Sequence, residues 1–146
     1  MGLLSEFFVA TPDLALKFAR HHYEDSDEDD ELTELLKPLR YKGFTGLEIG
    51  TLWAILEGAP WDVKRHMPEN TWFGDETWLN RFPDSLTQLL ASSTTEAMAT
   101  AAVAWSKTEE LRRSNPSDLE QVLGGLNILA LHAINQQQSV YLWGSL

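Results

Sequence analysis

Residues 45–61 read TGLEIGTLWAILEGAPW and carry the clearest helix signal in the chain. Thr45 and Glu48 have the spacing of a capping box, in which two side chains accept hydrogen bonds from free amides at a helix start. Gly58 can adopt the positive φ common just past a helix end, and Pro60 prevents continuation. The apolar residues between these signals recur at steps of three and four and share one face: Ile49, Leu52, Trp53 and Leu56. The segment therefore predicts a core helix.

The two ends of the chain predict strands. Residues 6–10 read EFFVA and residues 139–146 read SVYLWGSL, and both are rich in aromatic and β-branched residues. An apolar strand at a chain end is expected to pair within a sheet, since loose termini are usually polar. We predict an α+β fold, mostly helical, with about five or six helices packed on a small sheet formed by the N-terminal and C-terminal strands. A single domain of residues 1–146 suits this length.

Capping signals place the other helices. Thr11 and Pro12 begin a helix that reaches about residue 23, with Leu14, Phe18 and His22 on one face. Further on, the chain carries three more start signals, which are Phe82-Pro83-Asp84, the capping box of Ser93 and Glu96, and Asn115-Pro116. They predict a short helix, a helix to about residue 112 or 113, and a last helix to about residue 136. The expected buried side of the last helix is Leu119, Val122, Leu123, Leu126, Leu129, Ala130, Ala133 and Ile134.

Two glycines and a histidine stand out in the last helix. Gly124 and Gly125 cost about 1 kcal/mol each relative to alanine, and they predict a kink or the close approach of another backbone. His132 is interpreted as a partly buried imidazole with a hydrogen-bond partner. Residues 39–44 predict only a short extended connection.

Residues 24–31 read EDSDEDDE and contain seven acids, which predicts a solvated loop leading into a short helix at residues 31–37. Three aspartates match positions 1, 3 and 5 of a calcium loop: Asp25, Asp27 and Asp29. The pattern also needs a glycine where Asp30 lies and a glutamate where Leu36 lies. A solvated loop is therefore favoured, and a divalent-cation site is the alternative.

Residues 59–78 combine Pro and Gly with four aromatic side chains and predict an irregular loop. One interpretation is that the rings pack this loop onto the core, because exposed tryptophan is costly. The other is an aromatic-lined groove for a ligand or partner. Asp62 and His66 are spaced to pair if this part is helical. The candidate binding residues are Trp61, Asp62, His66, Trp72 and Trp78.

Composition limits the possible functions. The 146 residues include 22 acids and 11 bases, for a net charge of −11, which repels nucleic-acid phosphates and anionic lipids. We therefore expect neither nucleic acid nor membrane as a partner, and a basic protein is favoured. Cysteine is absent, which excludes thiolate catalysis, disulfides and cysteine-bound zinc. The oligomeric state, monomer or homodimer, stays open.

The chain also lacks the common sequence motifs of enzymes and of targeting. There is no nucleophile elbow, no glycine-rich phosphate loop and no H-E-x-x-H, so no catalytic residue, metal or cofactor is nominated. Residues 1–10 lack the basic start of a signal peptide. No apolar run approaches the ~20 residues that span a bilayer. We expect a cytoplasmic protein.

Several residues of the central segment also carry a family resemblance: Leu47-Glu48-Ile49, Trp53, Leu56-Glu57-Gly58 and Trp61. Through them the chain resembles the YfbM-like family of small uncharacterised bacterial proteins. The resemblance implies an α+β domain with a strand at each end, and it brings no catalytic residues. The chain departs from the family at residues 24–31 and 61–78.

Two functional hypotheses follow. The leading one is a non-enzymatic acidic interaction protein, an inhibitor or immunity-type binder of a basic protein partner. The alternative is a small-molecule-binding or hydrolytic domain with a Trp-lined pocket around residues 61–78. A cation site in residues 24–31 is a third and weaker hypothesis.

Overall fold

The computed structural model describes residues 3–24 and 27–146, and its strands form one five-stranded antiparallel sheet. The strands are β1 (Leu4–Ala10), β2 (Leu39–Lys42), β3 (Glu69–Phe73), β4 (Thr77–Arg81) and β5 (Ser139–Ser145). They lie in the order β2-β1-β5-β4-β3. The terminal strands pair over their whole length, from Leu4 opposite Ser145 to Ala10 opposite Ser139. The predicted pairing of the chain ends is confirmed, and three further strands extend the sheet on both sides.

Six α-helices surround this sheet in the described part of the chain. They are α1 (Pro12–Glu24), α2 (Asp27–Leu36), α3 (Gly46–Glu57), α4 (Asp84–Ser92), α5 (Thr95–Ser106) and α6 (Pro116–Gln136), with a 3₁₀-helix at Glu109–Leu111. The predicted α+β class is confirmed. None of the described helices combines the length and apolarity that crossing a membrane requires.

Helix α3 has the ends that the sequence predicts. The Glu48 carboxylate accepts a hydrogen bond from the Thr45 amide at 2.9 Å, and Thr45 Oγ1 accepts one from the Leu47 amide at 3.2 Å. Gly58 has a φ of 74°, in the left-handed region. The indole of Trp105 donates to the Glu48 carbonyl at 3.0 Å and so attaches α5 to α3.

The sheet separates two hydrophobic cores. In the first core, α3, α4, α5 and α6 cover sheet residues such as Phe7 and Leu142. In the second core, α1 and α2 cover Phe8 and Tyr141. Neighbouring residues of a strand point to opposite faces, so Phe7 and Phe8 lie in different cores. The sheet is thus the middle layer between two helical layers.

The acidic segment is more ordered than predicted. A solvated loop over residues 24–31 is wrong from Asp27 onward, where the chain forms α2. Acidic residues are favourable in a first helical turn because they lie at the positive end of the helix dipole, and buried Leu32 attaches this helix to the second core. Asp25 and the side chains of Asp27 and Asp29, on which the calcium-loop alternative depends, lie outside what the structure describes. The described residues contain no group of three or more acidic or histidine side chains that could hold a metal ion.

The irregular region predicted at residues 59–78 contains most of a β-hairpin. Pro68 precedes β3 and Gly74 follows it, so these residues bound the strand and do not interrupt it. Trp72 lies opposite Leu79 and Phe73 opposite Trp78. The extended connection predicted at residues 39–44 contains β2, an edge strand of the same sheet.

Helix α5 begins and ends elsewhere than predicted. Its N-cap is Thr94, whose hydroxyl accepts from the Ala97 amide at 3.0 Å, and not Ser93. Ser93 is the C-cap of α4. The helix ends at Ser106, well before residue 112.

Helix α6 begins at the predicted cap, Asn115, but the predicted burial of two of its residues is wrong. Ile134 and His132 flank buried Ala133 in the sequence, so each points about 100° away from it and is exposed. The helix runs unbroken through its two glycines. A Cβ on Gly125 would lie 2.8 Å from the Tyr41 hydroxyl, so side chains of β2, not a backbone, approach there.

Candidate functional site

The segment between α3 and β3 holds three of the predicted site residues. Asp62 begins a tight turn in which its carbonyl accepts from the amide of His66 at 2.7 Å. The Asp62 carboxylate accepts from the Lys64 amide at 2.9 Å within the same turn. The Asp62 amide donates to His66 Nδ1 at 3.0 Å. The predicted pairing of these two residues therefore runs through the backbone of Asp62 and not through its carboxylate.

His66 is buried, with only 1% of its surface exposed. Its Nε2 lies 3.3 Å from Glu57 Oε1, and its ring meets Trp53 edge-on at 5.3 Å between centroids. Arg65 donates two hydrogen bonds to the Glu57 carboxylate, at 2.9 and 2.7 Å. The hydrogen bonds from Arg65 and then from His66 lower the pKa of Glu57. A buried imidazole with both nitrogens engaged fastens this segment to α3 and is closed to a substrate.

Glycine at position 50 of α3 permits this close packing. A Cβ on Gly50 would lie 2.1 Å from the His66 carbonyl oxygen, well inside van der Waals contact. One turn earlier, the space around Gly46 is bounded by Met67 at 3.7 Å. The two glycines are four residues apart on one face, so the segment crosses α3 there. The sequence GLEIG carries this spacing and is a readable signal for such a crossing.

The tryptophans do not converge on one pocket. Trp72 packs at the margin of the second core. Trp78 lies against Gly144 of β5, where an added Cβ would come within 2.3 Å of the indole. Because Trp78 and Leu79 are adjacent on β4 and Leu79 faces the second core with Trp72, Trp78 points to the opposite face. Trp61 remains 44% exposed near α3.

A groove of about 730 Å³ lies elsewhere, between α3, α4 and α5. Its walls include Leu56, Leu89, Thr100 and Ala101, and Glu96 is the one ionisable residue among its lining. The five residues of the predicted site do not line it. Its lining lacks the paired acid and base that hydrolysis requires.

A buried carboxylate in the second core was also missed. Glu6 of β1 is fully buried, and its carboxylate contacts Nε2 of His22 on α1 and Nε of Arg40 on β2, the latter at 2.7 Å. His22 stacks on Phe18 and meets Trp143 edge-on. His22 is thus a partly buried imidazole with a carboxylate and two aromatic rings as partners. The alternation of Glu6 with Phe8 was the available signal, because it places a carboxylate on a buried face.

Burial alone raises the pKa of Glu6. Hydrogen bonds and charges from His22 and then Arg40 outweigh that effect, and the pKa lies below its ordinary value. A paired carboxylate that is ionised at neutral pH links α1, β1 and β2. Such a group suits a structural role better than proton transfer, which needs a pKa near the working pH.

The acidic helix α2 presents a different surface. Leu32 is buried in the second core and Leu36 packs against it. On the outer side, Asp30, Glu31 and Glu34 are exposed. Leu35 lies among them with 66% of its surface exposed. An exposed apolar side chain on the same formed helix as several exposed carboxylates is a surface suited to recognition rather than to catalysis.

Comparisons of the chain with models of protein families, with curated proteins and with solved structures gave no match. The resemblance to the YfbM-like family therefore stays a prediction. Function must be inferred from the residues and their arrangement.

Proposed function

We propose that the protein is a non-enzymatic binder of a basic protein, of inhibitor or immunity type, and that α2 is its contact surface. The observation that carries this proposal is the exposure of Leu35, one turn after Glu31 and next to Glu34 in the sequence, on a helix anchored through Leu32. A formed helix loses little conformational entropy on binding. The same acids in a flexible loop would bind more weakly.

The two kinds of side chain on α2 have separate roles in this proposal. The carboxylates, supported by the net charge of −11, attract a basic partner over a distance and speed association. Leu35 supplies apolar area that loses water on contact, which slows dissociation. We place this activity in the bacterial cytoplasm, in keeping with the absence of cysteine.

The test compares three baits in affinity capture from the native cell. They are the wild type, the variant E31Q/E34Q/L35A and the matched control E109Q/E110Q/V103A, which removes two exposed acids and one exposed apolar side chain elsewhere. The control matches the change in net charge. We expect a basic protein to be retained by the wild type and the control and lost by the α2 variant.

Calorimetry with that protein, once purified, completes the test. The α2 variant is expected to raise the dissociation constant by roughly 30-fold or more, the scale of a hot spot. Added salt should weaken wild-type binding. Failure to recover any protein at low salt, or equal retention by both variants, would overturn the proposal.

The alternative of a Trp-lined pocket gains no support from the geometry. Trp72 and Trp78 diverge, and His66 is buried against Trp53 and Glu57. No second function is therefore proposed.

A further inference from the structure

Helix α6 carries an outward-facing row of uncharged residues at steps of four and three. We call this row the outer seam, and it consists of Ser117, Gln121, Gly124, Ile128, Leu131 and Asn135. These steps are those of the a and d positions of a coiled coil. Ile128 is 66% exposed and Leu131 is 51% exposed. The opposite side of α6 is already buried in the first core, so the helix has a second, unpartnered seam.

The charge pattern of this seam is unusual for the chain. Residues 121–146 contain no Asp, Glu, Lys or Arg, although the whole chain carries 33 such residues. A basic partner would find no carboxylate on the outer seam. Two copies of a chain with net charge −11 repel each other, and this repulsion is weakest when they meet through surfaces without acidic residues. The surface therefore suits a second copy of this chain.

The glycine at position 124 also favours a second copy of the chain as the partner. Glycine weakens a helix interior relative to alanine, yet a Cβ at Gly124 would meet nothing within 4 Å. By contrast, Gly125 leaves room for Tyr41 within the fold. Nothing in the described chain therefore accounts for glycine at position 124. A neighbouring helix that approaches the outer seam closely would account for it.

We infer that two copies of the chain form a dimer by packing their α6 helices antiparallel along the outer seam. With the two-fold axis near residue 126, Ile128 of each copy lies over Gly124 of the other. The same register places Gln121 opposite Leu131 and Ser117 opposite Asn135. At the centre of the interface, Ile128 of each copy then fills the space above Gly124 of the other.

The antiparallel direction follows from shape and charge. A parallel pair would place Gly124 opposite itself and leave a gap. It would also bring the acidic starts of both helices together, at Asp118 and Glu120. In the antiparallel pair, each acidic start lies against the acid-free end of the other helix, which includes His132 and Ile134.

The oligomeric state is measured by sedimentation equilibrium of the full chain from micromolar to millimolar concentration. We expect the wild type to dimerise. I128D and G124L should each raise the dimer dissociation constant by at least about 30-fold. V103D, at an exposed position of α5, should dimerise like the wild type. Circular dichroism checks folding, and G124L adds a side chain where the monomer has open space.

The direction is tested by cross-linking, because the chain has no natural cysteine. Under oxidising conditions, S117C/N135C should form a covalent dimer, whereas S117C alone and N135C alone should not. Cross-linking by S117C alone would contradict the antiparallel arrangement. A wild type that stays monomeric at every concentration, or an I128D variant that dimerises equally well, would overturn the inference.

Discussion

The carboxylate of Glu6, in β1, contacts Nε2 of His22 on α1 inside the second core. Arg40 completes the cluster from β2. Removing one member of a buried ion pair is costly because the other charges lose their partner. The cluster therefore joins one helix and two strands by electrostatics, in a core that is otherwise apolar.

Glu6→Gln is expected to lower the free energy of unfolding at neutral pH by on the order of 3 kcal/mol. The pKa of Glu6 is lower in the folded chain than its ordinary value of 4.5. The stabilisation is therefore present above that value and is lost as the pH falls through the lower folded pKa. Urea unfolding of both proteins from neutral pH down to about pH 3 should show the difference shrinking below about pH 4.5.

A difference between wild type and Glu6→Gln that stays constant with pH would contradict this account. Arg40→Gln is the control. Its guanidinium is more than half exposed, so a smaller loss of stability is expected.

Two glycine-to-alanine changes in helices should have opposite effects. Gly50→Ala places a Cβ against the His66 carbonyl and should cost about 1–3 kcal/mol through overpacking. Gly124→Ala meets open space and should stabilise the helix by about 1 kcal/mol. Urea unfolding at a concentration where the chain is monomeric measures both. Equal changes in the free energy of unfolding would show that helix propensity alone determines the effect of both substitutions.

The N-cap of α5 is tested in the same way. Thr94→Ala removes the hydroxyl that accepts from the Ala97 amide and should cost about 1 kcal/mol. Ser93→Ala leaves that cap intact and should cost less. A larger loss of stability in Ser93→Ala than in Thr94→Ala would show that Ser93, the cap predicted from the sequence, caps α5. Thermal unfolding resolves the two variants.

The elements that the sequence predicts well have signals at both ends. Helix α3 has a capping box before it and Gly58 after it, and β1 and β5 are short apolar strands at the two ends of the chain. Local signals of this kind are interpretable because the residues that satisfy them are close in sequence.

The misplaced elements depend on distant partners. The acids at the start of α2 predict a loop, and the helix is anchored by the burial of Leu32 in the second core. β3 forms because β4 pairs with it, and β4 in turn pairs with β5 from the far end of the chain.

The candidate site was located only in part. His66 and Trp61 both lie against α3, in the segment that follows it. Their contacts with Glu57 and Gly50 depend on how a turn folds back across the helix, which spacing alone does not determine. Trp72 and Trp78 point to opposite faces of the sheet because side chains alternate along a strand. A region predicted as a loop gives no such alternation.

His66 provides a last test, of whether the segment after α3 is fastened by its imidazole. His66→Phe keeps an aromatic ring of similar size against Trp53 but removes the acceptor for the Asp62 amide. The part-buried hydrogen bond from the Asp62 amide is lost, at a net cost of about 0.5–1.5 kcal/mol, so the variant should be less stable although it is more apolar. His132→Phe changes an exposed imidazole and should leave the stability nearly unchanged. Amide hydrogen exchange should accelerate at Asp62 in His66→Phe and stay slow in His132→Phe. Unchanged exchange at Asp62, together with wild-type stability, would show that packing against Trp53 is what holds the segment.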